Sequence, residues 1–238
     1  FLESLAEICR KHELLVISDE IYSLTAFDKN HLSLAAYYPE GTIVLDGISK
    51  WCGAGGWRLG AFHIPDQYSD LLSAMLTFTS ETFTSVSAPI QYASIAAFED
   101  SPAMNQYCNR ITEVLELISN YLTERFQSTG CKIHPGAGGF YLFPDFTPIA
   151  DKLAAKGITN SMELATQLLE ATGVTCVPGV AFGRELNELT LRFAYVDFNG
   201  KGALEALEAG ETISNDFLKK NCSRIIEAAD LICNWIES

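Results

Sequence analysis

Long apolar runs, paired cysteines and positive charge are all scarce in this chain. No apolar run reaches the roughly 20 residues that a membrane span needs, and the first residues do not form a signal peptide. Sixteen Lys and Arg stand against 30 Asp and Glu, a formal net charge of −14. That balance disfavours nucleic acid and anionic membrane as partners, since both reward clustered basic side chains. It leaves room for a positive pocket inside an acidic chain. The seven cysteines, Cys9, Cys52, Cys108, Cys131, Cys176, Cys222 and Cys233, stand singly. An odd count without paired spacing reads as reduced thiols in a cytoplasmic protein rather than a disulfide frame. His12-Glu13 lacks a second histidine at zinc-protease spacing, and no metal site is expected. Repeats and low-complexity tracts are absent. What remains is a globular composition, 48% hydrophobic and 19% charged, ample for a packed core.

Helical spacing begins at once. Leu2, Leu5, Ile8 and Cys9 predict a helix to about Lys11, with no methionine before it, so the chain is expected to start inside a domain and to be a fragment. Short apolar strands follow at 14–17, 42–45 and 58–64, the last closed by Pro65, with a helical turn at 32–38 between the first two. Such strands separated by helices suggest a sheet buried on both faces. Helical pattern covers 66–99, interrupted by the Ser/Thr-rich stretch 77–87. A long amphipathic helix is predicted over 103–128, ended by Gly130. Beyond it, strands near 131–133, 139–143, 175–177 and 189–195 alternate with helices at 161–171 and 202–213, and 216–237 reads as a helical tail.

The densest chemistry lies in Gly47-Ile48-Ser49-Lys50-Trp51-Cys52-Gly53-Ala54-Gly55-Gly56-Trp57-Arg58-Leu59-Gly60. An apolar strand leads into a lysine, and a glycine-rich turn delivers an arginine eight positions later. A neutral lysine amine condenses with an aldehyde, and a guanidinium fork grips a phosphate. Trp51 and Trp57 are expected to pack, and Cys52 needs no role. Upstream, Val16-Ile17-Ser18-Asp19-Glu20-Ile21-Tyr22 sets an acid and a phenol at another strand end, where α/β sheets carry ligands. Downstream, Thr190-Leu191-Arg192-Phe193-Ala194-Tyr195 puts an arginine in an apolar strand. An unpaired charge there is costly, so Arg192 either joins a structural ion pair or awaits a ligand.

These strings resemble the class I/II aminotransferases, the fold-type I enzymes that use pyridoxal 5′-phosphate. The Ser-Asp-Glu-Ile-Tyr string and the Ser-Lys pair also stand in the family's order, with Asp19 and Lys50 31 residues apart. The resemblance implies an α/β fold: part of a large cofactor-binding domain, a mostly parallel sheet with helices on both faces, over 1–115, and a small α+β domain over 116–238. It makes Lys50 the Schiff-base residue, whose freed amine moves the substrate proton. Arg58 and Ser49 would hold the phosphate, Asp19 as a buried carboxylate the ring nitrogen, and Tyr22 the ring O3′. Many relatives carry Ser or Thr where this chain has Gly47, and glycine occurs there in the family motif too, so one phosphate contact is weakened. Arg192 would bind the substrate α-carboxylate, supported by Val177-Pro178-Gly179-Val180-Ala181-Phe182-Gly183. His134-Pro135-Gly136-Ala137-Gly138-Gly139-Phe140-Tyr141-Leu142-Phe143 resembles the substrate-side strand, with Gly138 and Gly139 as contacts.

The function so implied is transfer of an amino group from an L-amino acid to a 2-keto acid by a cytoplasmic homodimer. The family's N-terminal half, with its backbone phosphate cradle, ring-stacking aromatic and side-chain selectors, does not match any part of this chain. The 238 residues alone are therefore expected to be an incomplete enzyme. A β-lyase or aminocyclopropane-carboxylate synthase of the same fold would use the same residues. An aminotransferase-like sensor domain of a transcription regulator is the third reading.

Overall fold

The computed structural model describes residues 1–238, which form two compact units, Phe1–Asn109 and Arg110–Ser238. In the first, α1 (Leu2–Lys11) buries Ala6 and Cys9 against Leu34 and Tyr38, with Leu2, Leu5 and Val16 packed around them. Arg10 and Lys11 close its last turn, where cations suit the helix dipole. The first strand, β1, is Val16–Asp19, two residues later than its apolar pattern suggests. Glu13 takes left-handed backbone, φ 51°, the Leu14 N–H bonds back to Cys9 at 2.9 Å, and the Leu14 carbonyl accepts the Tyr38 hydroxyl at 3.0 Å. Leu14 thus serves the helix exit rather than the ladder.

β2 (Thr42–Gly47) pairs parallel with β1, Val16 opposite Thr42 and Asp19 opposite Leu45. β3 (Gly60–His63) pairs antiparallel on its other side, Leu45 opposite Phe62 and Gly47 opposite Gly60. Alternation along each strand turns Val16 toward α1 and lines up Ile17, Ile43, Leu45 and Phe62 on the other face. Ile43 in the central strand is buried, but Ile17 is 64% and Phe62 58% exposed. Within this chain the edge strands are therefore open on that face, contrary to a sheet buried on both sides. α2 (Ser69–Thr82) and α3 (Ala88–Phe98) follow, and neither contains a buried residue. The break between them passes through Thr84 at φ 70°.

α4 (Pro102–Ser128) is the long amphipathic helix, and the division between the units falls within it. The second unit continues with β4 (Tyr141–Leu142), α5 (Ala150–Ala154), α6 (Ser161–Thr172), β5 (Val177–Pro178), β6 (Leu191–Ala194), α7 (Gly200–Glu208), α8 (Asn215–Asn221) and α9 (Ser223–Glu237). Its sheet is antiparallel in the order β4-β6-β5. The expected strand at 131–133 shrinks to one bridge between Lys132 and Asp145, which exchange both backbone hydrogen bonds at 2.8 Å. The tail is two helices, broken at Cys222 (φ −129°, ψ 32°). Phe126, Phe146, Leu153, Leu164, Leu168, Leu191 and Ile232 form a fully buried interior. α6 is capped by Asn160, whose side-chain Oδ1 accepts the N–H groups of Met162 and Glu163. No helix is long and apolar enough to cross a membrane.

Candidate functional site

Lys50 lies in the turn after β2, half-buried, with Nζ 5.7 Å from the centre of the Tyr22 ring. The parallel pairing of β1 with β2 is what brings these two residues of separate motifs together. The turn closes on itself: the Gly53 N–H donates to the Lys50 carbonyl at 3.1 Å, Ala54 to Ile48 at 3.1 Å, and Ile48 to Leu59 at 3.4 Å. Gly47 has a steric reason. A Cβ there would stand 2.8 Å from the Leu59 carbonyl, so glycine lets β3 approach β2 at the mouth of the site. Gly53 takes φ 65°, which other residues rarely adopt.

Arg58 follows the Gly55–Trp57 3-10 turn in left-handed conformation, φ 57°. Its guanidinium is exposed and donates one N–H to the Gly55 carbonyl at 2.8 Å, which leaves most of its five donors for a ligand. Ser49 is half-buried on the same turn. Trp51 is buried, edge-on to Phe98 at 5.7 Å, whereas Trp57 is 52% exposed because it rides the outer side of the turn. Burial pushes the Cys52 thiol up, which disfavours the reactive thiolate.

Asp19 departs from its expected setting. It is exposed, and its Oδ1 accepts the Ile21 N–H at 3.3 Å, so in this chain it shapes the strand-end turn rather than lying buried. Two neighbouring acids carry more structure than their sequence context announces. The Glu20 side chain is one-tenth exposed and accepts from Ser18 at 3.0 Å, Ser33 at 2.6 Å and His31 at 2.9 Å. Asp46 accepts the Gly47 N–H at 2.6 Å and the Trp51 indole N–H at 3.4 Å. Burial pushes its carboxyl up, and the nearby Glu20 and Asp19 add to this against the two hydrogen bonds. The signal for Asp46 is a charged residue inside an apolar strand. For Glu20 the sequence offers none, since two of its three partners, His31 and Ser33, lie in a later loop.

In the second unit, Arg192 on β6 has no ion pair. Its guanidinium carbon lies 4.4 Å from the ring centres of both Tyr141 and Phe182. Both rings fall in strings singled out from the sequence, but their joint role as a clamp becomes visible only when β4, β6 and the Gly179–Phe182 turn come together. A stacked guanidinium retains its in-plane N–H fork for a carboxylate. Gly139, at φ 68°, gives its carbonyl to the Tyr195 hydroxyl at 3.0 Å, so its role in the structure is a backbone one.

Lys50, Ser49, Arg58 and Tyr22 form a donor set suited to an anion that carries an electrophile, with Asp19 as the neighbouring acceptor. The residues present thus fit an aldehyde bearing a phosphate. Comparison with known proteins accords with this chemistry. The family model for aminotransferase class I and II matches residues 1–232. A probable aspartate aminotransferase of Methanocaldococcus jannaschii is 31% identical, the match covering 82% of this chain and 48% of that protein. The aspartate aminotransferase of Geobacillus stearothermophilus is 32% identical over 87% of this chain and 50% of its own. Among solved structures, an aromatic aminotransferase from Pyrococcus horikoshii superposes with a TM-score of 0.75 at 25% identity, covering 99% of this chain and 54% of that one. This chain spans about half the length of the curated relatives it matches.

Proposed function

The chain belongs to the aminotransferase class I and II family, and from that premise we propose that it carries the lysine side of a pyridoxal-phosphate-dependent transamination site. The observation that carries the reading is the Lys50 amine seated over the Tyr22 ring, 5.7 Å from its centre, at the C-terminal ends of a parallel strand pair. When bound, pyridoxal phosphate supplies an aldehyde that captures amines and a ring that takes up the electrons left when a Cα proton departs. Lys50 takes that proton from the substrate and returns it as general base and acid. Arg58 and Ser49 would hold the phosphate, Tyr22 would donate to the ring hydroxyl oxygen, and Asp19 would receive the ring N–H. Arg192, packed against Tyr141 and Phe182, binds the α-carboxylate shared by the amino donor and the 2-keto acceptor.

The same reading assigns residues 1–115 to the large cofactor-binding domain and 116–238 to the small one. Seven free thiols accord with a reducing cytoplasm, and the open apolar helices α2 and α3 accord with a homodimer. The test is the absorbance of the full-length protein with pyridoxal phosphate, before and after borohydride. A near-visible band that reduction removes, fixing the cofactor to a peptide containing Lys50, is expected; Lys50→Ala should lack the band. A reducible link retained in Lys50→Ala would assign the chemistry to another amine.

A further inference from the structure

The Asp19–Tyr22 turn is built twice over. Its backbone is held locally: Glu20 N–H to Leu45 at 2.9 Å, Ser23 N–H to Glu20 at 2.9 Å, and the Thr25 hydroxyl to the Tyr22 carbonyl at 2.8 Å. The Glu20 carboxylate tethers it to the 31–33 segment. Oε1 receives Ser18 and Ser33, and Oε2 meets His31. Ser33 is itself fixed, because its oxygen also caps the next turn by accepting the Ala35 N–H at 3.1 Å. Leu34, beside it, is buried in the α1 core. The tether therefore runs from a rigid core segment to the turn bearing Tyr22. Burial pushes the Glu20 carboxyl up, but hydrogen bonds from Ser33, His31 and Ser18 together outweigh it and leave it below its ordinary value. The charged form is thus the one the fold holds. A glutamine at 20 loses the charge and one acceptor oxygen, so at least one of the bonds from Ser18, Ser33 and His31 must reverse or break.

We propose that Glu20 is a positioning residue: its carboxylate, tied to Ser18, His31 and Ser33, fixes the turn that lays the Tyr22 ring against the Lys50 amine. The proposal rests on the assignment of Lys50 and Tyr22 given above. It predicts a change in the cofactor's proton affinity, which a merely structural role would leave alone.

The readout is the pH midpoint of the visible absorption band of the full-length protein loaded with pyridoxal phosphate. A phenol donating to the ring oxygen stabilises its anionic form and lowers the midpoint, so Tyr22→Phe should raise it. Glu20→Gln should raise it by about half a pH unit, roughly a threefold change in proton affinity and the size of one net hydrogen bond. In the Tyr22→Phe background it should add nothing more. Ser33→Ala, which removes one donor, should give a smaller rise, and it decides the matter if Glu20→Gln does not fold. Unchanged midpoints in Glu20→Gln and Ser33→Ala, with Tyr22→Phe shifted, overturn the proposal and leave the site reading intact. Full additivity with Tyr22→Phe also overturns it, because Glu20 would then act by a route other than Tyr22; a fall in the midpoint overturns it too, since loss of a bare negative charge disfavours the protonated form. A midpoint indifferent to Tyr22→Phe removes the Tyr22 assignment and the proposal together.

Discussion

The second unit closes its own interior, while the first leaves apolar surface bare. Phe146, Leu153, Leu164, Leu168 and Leu191 are fully buried among residues 110–238. In residues 1–109, Phe78, Tyr92 and Ile17 are mostly exposed, and α2 and α3 bury nothing. Both stretches are equally apolar to read, so the contrast teaches that hydrophobic pattern marks surfaces fit for burial, not surfaces buried. The contrast extends to the polar residues: the chemistry of the first unit sits on a turn and strand ends, and that of the second on one arginine clamped by rings.

The sharpest probe of the contrast is Phe146→Ala. Phe146 is fully buried, with Phe126 at 6.4 Å, and truncation should cost about 3–5 kcal/mol in a denaturant titration. Next comes the clamp. Arg192→Lys keeps the charge but loses the planar fork and stacking, so KM for both substrates should rise about tenfold or more while kcat falls less. An unchanged KM would move carboxylate recognition elsewhere.

A smaller effect separates the two acids of the first unit. Glu20 lies below its ordinary 4.5, so its contribution is fully present above that pH and is lost as pH falls through the folded value. Asp46 lies above its ordinary 3.8, so its contribution is present below that pH and is lost as pH rises through the folded value. Asp46→Asn keeps an oxygen for Gly47 and Trp51 and removes the charge. Its melting temperature relative to the parent should therefore be higher at pH 7 than at pH 3. The smallest expected effect tests the open face: Phe78→Ser, at a site 71% exposed, should change the stability of the 238-residue chain by no more than about 0.5 kcal/mol. A cost near that of Phe146→Ala would erase the distinction between the units.

Much of the site was legible because its signals are short-range. The strand-lysine-glycine-arginine string needs only neighbouring residues to be read, and the structure forms it as one turn closed by its own hydrogen bonds. α4 followed from its apolar period, and its bounds agree within a residue at the start. Legibility failed where polar groups chose partners across the fold. Leu14 looked like strand until the Tyr38 hydroxyl claimed its carbonyl. Asp19 looked buried, yet it faces out and caps its own turn. Arg192 left a structural ion pair open beside carboxylate binding until Tyr141 and Phe182 were seen packed against its guanidinium.

The amino-acid order by itself determined the family and marked the candidate amine and the arginine that follows it, since backbone preference and motif spacing act over a few residues. Tertiary structure alone decided that Tyr22 meets Lys50, that Glu20 is tied to His31 and Ser33, and which apolar faces stay open. Those contacts join residues brought together only by chain return, and no local pattern encodes where a chain will return.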